Sequence, residues 1–226
     1  MKYIRRLPEQ PRFYASYGSF LHKLLAQYYK GELTREELQI QFLFDFQDEV
    51  QGERPSETVL RNYIAAGSSY LKDGEFPPIR PLAVEEKLVS QLGDRPFLGF
   101  VDLLGERDGK LILVDHKSRN LKPRKAGKQR KSDAELDEML RQLYLYAAMV
   151  FERYGQCPDE LWFNCFREKM LICEPFSVEK CEEAKHWALH SIEEIENETE
   201  FPPNREFFRC KYLCGLSDEC CYWKLK

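Results

Sequence analysis

Hydrophobic side chains recur at helical spacing through the first third of the chain. Over residues 14–29 the apolar and aromatic positions return every three or four residues, as on the buried face of a helix. Thr34 followed by Glu37 has the pattern of a capping box, which predicts a second helix over residues 34–50. The same spacing predicts a third helix over residues 56–70. The chain is therefore predicted to begin with a helical segment.

Short β-type segments replace the helical repeat in the middle of the chain. The dipeptides Gly93-Asp94 and Asp108-Gly109 are turn signals that separate these segments. They predict three strands connected by hairpins, over residues 82–91, 96–104 and 110–117.

A basic loop precedes the last predicted elements. Residues 119–131 combine a run of lysines and arginines with a proline and a glycine and have no apolar periodicity, which predicts a mobile loop. The pattern then predicts a helix, two strands and a final helix, over residues 132–154, 160–166, 170–176 and 177–198. One α/β domain fits this order of elements best.

Composition narrows the class of protein. The 226 residues are 43% hydrophobic, which suffices for a buried core and excludes a disordered chain. Lysine and arginine number 34 against 38 aspartates and glutamates, so the formal net charge is -4 and a uniformly cationic nucleic-acid binder is not expected. Apolar runs such as 111–114 are far below the roughly 20 residues of a membrane span, and no secretory signal is recognisable. We expect a cytoplasmic location and no membrane contact.

The candidate chemistry lies on two consecutive predicted strands. Asp115 and Lys117 are two residues apart, so their side chains point to the same face, and Asp102 on the neighbouring strand can join them. Carboxylate oxygens are ligands that Mg²⁺ and Mn²⁺ prefer, and such ions assist phosphodiester hydrolysis. A solvated sheet face would produce the same Asp-x-Lys pattern. Residues 111–114, however, are apolar on both faces, which predicts a buried strand where paired charges need a reason.

Five short motifs follow one another on the predicted elements: Gly18-Ser19-Phe20-Leu21-His22, Val84-Glu85, Gly99 to Asp102, Asp115-His116-Lys117, and Gln142-Leu143-Tyr144-Leu145-Tyr146. In this order they resemble the RecB-like branch of the PD-(D/E)XK nuclease superfamily, which includes helicase-linked exonucleases and CRISPR adaptation exonucleases. The resemblance spans most of the chain. It implies a restriction-endonuclease-like core, with a central mixed sheet flanked by helices.

The resemblance also implies roles for single residues. His22 is similar to the histidine that gives an imidazole ligand to the metal, and Asp102 and Asp115 are similar to its carboxylate ligands. The carbonyl of His116 corresponds to a main-chain ligand, and Lys117 to the catalytic lysine. The implied cofactor is Mg²⁺ or Mn²⁺.

Three further residues of the predicted catalytic group have alternatives. Gln142 and Tyr146 are four residues apart on one helix face, where they can reach substrate phosphate or order the lysine. They can equally be ordinary packing residues of that helix. Glu85 matches the strand glutamate of the family, although the adjacent Glu86 competes for this assignment.

The end of the chain is rich in cysteine. Cys210, Cys214, Cys220 and Cys221 stand within twelve residues, a spacing that suits zinc or a [4Fe–4S] cluster. Some RecB-like nucleases use three such cysteines and one upstream of the first helix. This chain has none before Cys157, which suggests that a short N-terminal segment is missing. Cys221 as the fourth ligand, or reduced thiols packed under aromatics, are the alternatives.

The remaining cysteines and histidines are read as structural. Cys157 and the cysteines eight, sixteen and twenty-four residues later are predicted to be packing residues. His186 and His190 have helical spacing, but no zinc-protease glutamate follows His186, so the pair is predicted to lie on the surface.

These residues define the functional expectation. The cations of the loop are predicted to bind DNA phosphates beside the catalytic strand: Arg119, Lys122, Arg124, Lys125, Lys128, Arg130 and Lys131. We expect a metal-dependent deoxyribonuclease, an exonuclease acting on DNA ends or single strands in repair, recombination or mobile-element biology. The alternatives are a non-cleaving DNA-binding subunit of a helicase or recombination complex and, less consistent with the strand carboxylates, a zinc-binding interaction protein.

The predicted organisation is a single nuclease domain over residues 1–226. Within it we distinguish a helical segment (14–75), a catalytic core (80–200) and a cysteine-rich tail (201–226).

Overall fold

The N-terminal part of the computed structural model is helical, as predicted. The structure describes residues 7–128, 130–201, 203 and 206–224. Three helices occur in sequence: α1 (Phe13–Tyr29), α2 (Arg35–Glu49) and α3 (Glu57–Asp73). The predicted capping box opens α2, because Thr34 Oγ1 accepts from the Glu37 N–H at 3.3 Å and Glu37 Oε2 accepts from the Thr34 N–H at 2.7 Å.

Five strands form one mixed sheet in which the spatial order equals the chain order. The strands are β1 (Arg80–Leu92), β2 (Arg95–Arg107), β3 (Lys110–Lys117), β4 (Glu160–Cys165) and β5 (Met170–Pro175). Neighbouring strands are antiparallel except β3 and β4, which are parallel. Helix α4 (Lys131–Tyr154) forms the crossover between these two strands, and α5 (Val178–Asn197) follows β5. The predicted α/β class and mixed sheet are confirmed.

Helices cover both faces of the sheet around β3. On one face Leu111 and Leu113 pack with residues of α4 and α5. On the other face Ile112 and Val114 pack with Trp162 and the end of α1. Burial on both faces explains why this strand reads as an unbroken apolar run in the sequence.

The two predicted hairpin turns are present. Gly93 has a φ of 63°, and Asp108 and Gly109 have φ values of 53° and 76°. Two successive residues in the left-handed region are what a tight two-residue hairpin turn requires. The β1–β2 hairpin is longer than predicted, with thirteen residues in each strand.

The cysteine-rich tail contains short helical turns where the sequence predicted irregular chain. These are Arg209–Leu213, Ser217–Glu219 and helix α6 (Cys221–Lys224). The tail packs on the start of α1, where the Gln10 N–H donates to the Gly215 carbonyl at 2.8 Å. Aromatic contacts of Tyr14 with two tail residues add to this packing.

The packing prediction for the four inner cysteines is correct for two of them. Cys165 and Cys181 are buried, whereas Cys157 is half-buried and Cys173 is exposed. Cys173 lies on the edge strand β5 and alternates with the buried Ile172, so its side chain faces away from the core. His186 and His190 are exposed, as predicted. Within the described ranges, no helix is long and apolar enough to cross a membrane.

Candidate active site

Three carboxylates lie in a row across neighbouring strands. The registers of β1 with β2 and of β2 with β3 place Glu85, Asp102 and Asp115 opposite one another. The row stands at the point where the β2–β3 ladder ends, after the pair Leu103 and Val114. Strand ends of this kind leave room between the helical layers for polar side chains.

Both β1 and β2 are distorted at this row. Glu85 has a φ of 52°, a left-handed conformation that is uncommon for any residue except glycine and is costly within a strand. On β2 the alternation of faces breaks at Asp102, because Val101 belongs to the core under α4 and Leu103 to the core under α1. The two distortions lie opposite each other and point both carboxylates toward α1.

Helix α1 brings an imidazole to these carboxylates. Its buried face includes Leu21, Leu24 and Leu25, which fixes the helix against its neighbours and leaves His22 partly exposed toward the sheet. His22 Nδ1 lies 3.5 Å from Asp102 Oδ2. Within the part of the chain that the structure describes, the only group of three potential metal ligands with donor atoms inside 4.8 Å of one another is His22, Glu85 and Asp102.

The electrostatics of this group follow from burial and close charge. Burial alone would lower the pKa of His22, but its hydrogen bond to Asp102 and the nearby carboxylates raise the pKa overall. For Asp102, burial is outweighed by His22 and by the His116 N–H, which donates to Asp102 Oδ2 at 2.7 Å, so the pKa is lowered. Burial and the charge of Asp102 raise the pKa of Glu85. Asp102 is therefore held as the carboxylate of the group.

A second polar cluster adjoins the first on the α4 side. Lys117 Nζ lies 2.7 Å from Asp115 Oδ2 and donates to Gln142 Oε1 at 3.1 Å. Gln142 Nε2 in turn donates to the Tyr146 hydroxyl at 2.8 Å. Gln142 and Tyr146 thus order the lysine, one of the two roles that the sequence left open. Gly99 permits this arrangement, because a Cβ there would lie 2.8 Å from the Tyr146 ring.

Asp115 is the most deeply buried of the three carboxylates. Burial raises its pKa to about 6, although Lys117 acts in the opposite direction and Asp102 adds to the rise. Its Oδ2 atom is buried and, among the described residues, receives no aligned hydrogen bond despite its ion pair. The sequence grouped Asp115 with His22 as a metal ligand, whereas the compact group of three contains Glu85 in its place.

The structure separates the two adjacent glutamates of β1. Glu85 turns toward His22 and Asp102. Glu86 accepts from the Tyr154 hydroxyl and lies 3.6 Å from Arg153, at the end of α4. The side chain beside the metal group is therefore Glu85.

A buried hydrogen-bonded chain behind the site has no counterpart in the sequence-based predictions. The Tyr70 hydroxyl donates to Asn164 Oδ1 at 3.0 Å, and Asn164 Nδ2 lies 3.0 Å from His116 Nδ1. Because Asn164 Nδ2 is a donor, His116 Nδ1 must be the unprotonated acceptor. Burial lowers the pKa of His116 to about 3, which keeps the ring neutral. Asn164 within the apolar run of residues 161–166 is the signal that could have revealed this chain.

The basic loop is anchored at two points rather than wholly mobile. Leu121 is buried, and Arg124 donates to Glu174 Oε2 at 2.9 Å and to Asp137 Oδ1 at 2.6 Å. Hydrogen bonds to these two carboxylates raise the pKa of Arg124. Arg130 pairs with Asp133 at 2.8 Å. The other five predicted DNA-binding cations are exposed: Arg119, Lys122, Lys125, Lys128 and Lys131.

The four tail cysteines lie apart from the site. Cys210, Cys214 and Cys220 are half-buried and Cys221 is exposed. Among described residues they form no group that meets the 4.8 Å spacing of the metal ligands.

The donor set beside α1 fits a divalent cation. One imidazole nitrogen and two carboxylates converge there, and the buried Asp115 oxygen lies next in the row of carboxylates. Carboxylate and imidazole together suit Mn²⁺ and related ions, and carboxylates with water suit Mg²⁺. A buried carboxylate without an aligned donor is costly unless a cation compensates it.

Comparison with known proteins agrees with this geometry. The sequence model of the PD-(D/E)XK nuclease superfamily matches residues 1–221. The chain belongs to this superfamily, which implies a metal-dependent nuclease acting on DNA. A search of curated proteins gives no match.

Proposed function

We propose that the protein is an exonuclease of the RecB-like branch that hydrolyses DNA at ends or in single strands, in repair, recombination or mobile-element biology. The carrying observation is the convergence of His22, Glu85 and Asp102 beside the Asp115–Lys117 pair. One cluster offers ligands for a cation, and the adjoining one offers an ammonium. Both are needed for hydrolysis of a phosphodiester by metal-dependent attack of water.

Each residue has a separate role in this proposal. His22, Glu85 and Asp102 would hold Mg²⁺ or Mn²⁺, with Asp115 and the His116 carbonyl as the adjoining groups. When bound there, the ion would polarise the scissile phosphate and lower the pKa of the attacking water. Lys117 stabilises the negative charge that develops on the phosphate. Gln142 and Tyr146 hold the Lys117 ammonium in place.

The exposed cations of the basic loop support binding of phosphates near this site. The loop begins directly after β3, which carries Asp115 and Lys117. Binding by such cations is independent of sequence and sensitive to salt. On a chain with a net charge of -4, a local patch suits contact with a strand end better than coverage of a long duplex. A helicase or recombination partner and a cytoplasmic location are part of the same proposal.

The cysteine tail is proposed to hold a [4Fe–4S] cluster or zinc in the native protein. Cys210, Cys214 and Cys220 resemble the C-terminal group of cluster-containing relatives, with Cys221 or an upstream cysteine as the fourth ligand. Its role would be structural, because the tail contacts α1 rather than the carboxylate row.

A non-cleaving DNA-binding subunit is the second candidate. The burial of Lys117 and Asp115 without substrate would also be compatible with a structural ion pair. Against it stands the left-handed Glu85, because backbone strain of this kind is retained mainly at functional sites.

The test is cleavage of end-labelled DNA. Linear and circular forms of single- and double-stranded DNA are incubated with Mg²⁺ or Mn²⁺ and the wild type, Lys117→Ala or Asp102→Asn. Asp108→Asn is the matched control, because this aspartate lies in a turn and asparagine tolerates its left-handed φ. We expect both site variants to lose at least about a hundredfold in rate, the control to retain full activity, and circular DNA to be spared.

Two outcomes would revise the proposal. Cleavage of circular DNA would replace the exonuclease with an endonuclease. If the folded wild type binds DNA but cleaves no substrate with either metal, the non-cleaving subunit becomes the better reading. Melting temperatures of all variants exclude loss of folding as the cause.

A further inference from the structure

The β1–β2 hairpin carries an uncovered face that continues from the metal group. Its residues form two cross-strand pairs, Val89 with Leu98 and Lys87 with Phe100. The next position in the same register holds Glu85 and Asp102. We call the four side chains that precede the carboxylates the hairpin face: Lys87, Val89, Leu98 and Phe100.

The opposite side of the same hairpin is packed. Leu88 and Val101 are buried in the core under α4, with Phe97 against it. Side chains alternate along a strand, so the hairpin face points the other way, toward the side on which His22 lies. This assigns the hairpin face and the metal group to one surface of the sheet.

The side chains of this face are exposed to an unusual degree for their type. Val89 is 71% exposed, Leu98 51% and Phe100 50%. Lys87 is also exposed. Apolar side chains that cluster at the surface beside polar groups mark binding sites more often than chance exposure does. Here the cluster adjoins three carboxylates and an imidazole.

We propose that the hairpin face binds unpaired nucleotides of the DNA strand whose phosphate lies at His22, Glu85 and Asp102. Phe100 stacks on a base, and Lys87 pairs with a phosphate of the same strand. Leu98 and Val89 extend the apolar platform for the next base. This inference rests on the proposed nuclease function and deepens it, because it makes the single strand the preferred substrate.

The spacing along the strand supports this assignment. Phe100 is two residues from Asp102 on β2, which corresponds to about 7 Å. A base that contacts Phe100 is therefore within one nucleotide of a phosphate at the metal group. The combination of a cation for the backbone and an aromatic ring for the base is how single strands are bound without sequence preference.

The same chemistry explains selection against duplex. Bases inside a duplex are already stacked and paired, so they cannot lie on Phe100 without fraying. A double-stranded end would have to release its terminal nucleotides before the phosphate reaches the carboxylates. Duplex DNA should therefore be bound and cleaved more slowly than a single strand.

The test measures binding rather than cleavage. A fluorescently labelled single-stranded oligonucleotide is titrated with protein in Ca²⁺, with gels that confirm intact DNA, and anisotropy gives Kd. We expect Phe100→Ala to weaken binding about fivefold to a hundredfold, the usual range for loss of one stacked base. Phe44→Ala is the matched control, because Phe44 is 84% exposed but lies on α2.

A second oligonucleotide separates stacking from general loss of contact. It carries abasic positions that remove the bases and keep the phosphates. The wild type should bind it more weakly than the intact strand, whereas Phe100→Ala should bind both with equal Kd. Lys87→Ala should weaken both oligonucleotides alike and reduce the salt dependence of binding.

Several outcomes would overturn the inference. Phe100→Ala with wild-type Kd, or with the same sensitivity to abasic positions as the wild type, removes the stacking role. Dimerisation of the wild type that Phe100→Ala abolishes in sedimentation experiments would assign the face to a second copy of the chain. If the wild type cleaves DNA normally in these cases, the proposed nuclease function stands. If it neither binds nor cleaves any DNA, that function fails as well.

Discussion

At the scale of single residues, the buried chain from Tyr70 through Asn164 to His116 supports the site from behind. His116 is the residue whose N–H fixes Asp102, so the position of its ring affects the metal group through the backbone. Asn164 is fully buried and contacts both the Tyr70 hydroxyl and the His116 ring. A single side chain thus satisfies polar groups on two elements.

Asn164→Ala should be strongly destabilising. It leaves the Tyr70 hydroxyl and the His116 ring nitrogen buried without partners, at about 1–3 kcal/mol for each group. Chemical denaturation should show a loss of about 2–5 kcal/mol in the free energy of unfolding. Tyr70→Phe removes only the hydroxyl and should cost less. A change below about 1 kcal/mol for Asn164→Ala would contradict this role.

The same buried groups determine how stability responds to acid. His116 has a folded pKa of about 3, below its ordinary 6.5, so the unfolded state binds more protons between these values and stability falls as the pH falls. Asp115 has a folded pKa of about 6, above its ordinary 3.8, so it acts in the opposite direction between pH 6 and 3.8. In the wild type the two contributions partly cancel.

Asp115→Asn removes the compensating group and should expose the contribution of His116. The free energy of unfolding of this variant should fall more steeply between pH 6 and 4 than that of the wild type, by up to about 1.4 kcal/mol per pH unit. Denaturation curves in the presence of a chelator, across this pH range, measure the difference. Equal slopes would show that the two groups do not titrate as their burial requires.

At the scale of elements, the packing of α4 on β2 depends on Gly99. A Cβ at this position would lie 2.8 Å from the Tyr146 ring and 2.9 Å from Met149 Sδ. Gly99→Ala should therefore displace α4, cost about 1–3 kcal/mol in the free energy of unfolding and lower kcat through Tyr146 and Gln142. Gln142→Ala should lower kcat without the loss of stability. If Gly99→Ala retains full kcat and stability, α4 adjusts without consequence for Lys117.

Most elements of the fold could be predicted from the sequence, because their period and caps are local properties. The capping box at Thr34 and the Asp108-Gly109 turn are examples in which a short pattern requires one backbone conformation. The choice between Glu85 and Glu86 could not be made in this way. It depends on a left-handed φ within β1 that no pattern of residues announces. Asn164 was missed because its partners are 94 and 48 residues away.

At the scale of the whole molecule, the basic loop combines an anchor with free cations. Lys125 is exposed, whereas Arg124 is tied to Asp137 and Glu174. Lys125→Ala should weaken binding to every single-stranded sequence and reduce the salt slope by about 0.7 for one lost phosphate contact. Its stability should be unchanged. Arg124→Ala should instead lower the free energy of unfolding, by about 1–3 kcal/mol. Salt titrations and denaturation of both variants test this division, and reversed effects would contradict it.

The tail closes the molecule by joining the end of the described chain to the start of α1. Arg12 is the main contact, since its buried guanidinium donates from Nε to the Cys214 carbonyl at 2.9 Å and also contacts the Ser217 hydroxyl. These bonds involve no thiol. They therefore hold the tail independently of any metal that the cysteines bind.

Arg12→Ala separates the two ways in which the tail can be held. If the hydrogen bonds of Arg12 carry the attachment, limited proteolysis should cut residues 206–224 faster in this variant than in the wild type, and a chelator should change neither rate. If a cluster carries the attachment, iron or zinc should co-purify, the tail of Arg12→Ala should remain protected, and removal of the metal should expose it in both proteins. We expect the first result, because a guanidinium that is buried against two tail residues loses its partners when the tail detaches, and a buried unpaired charge is costly.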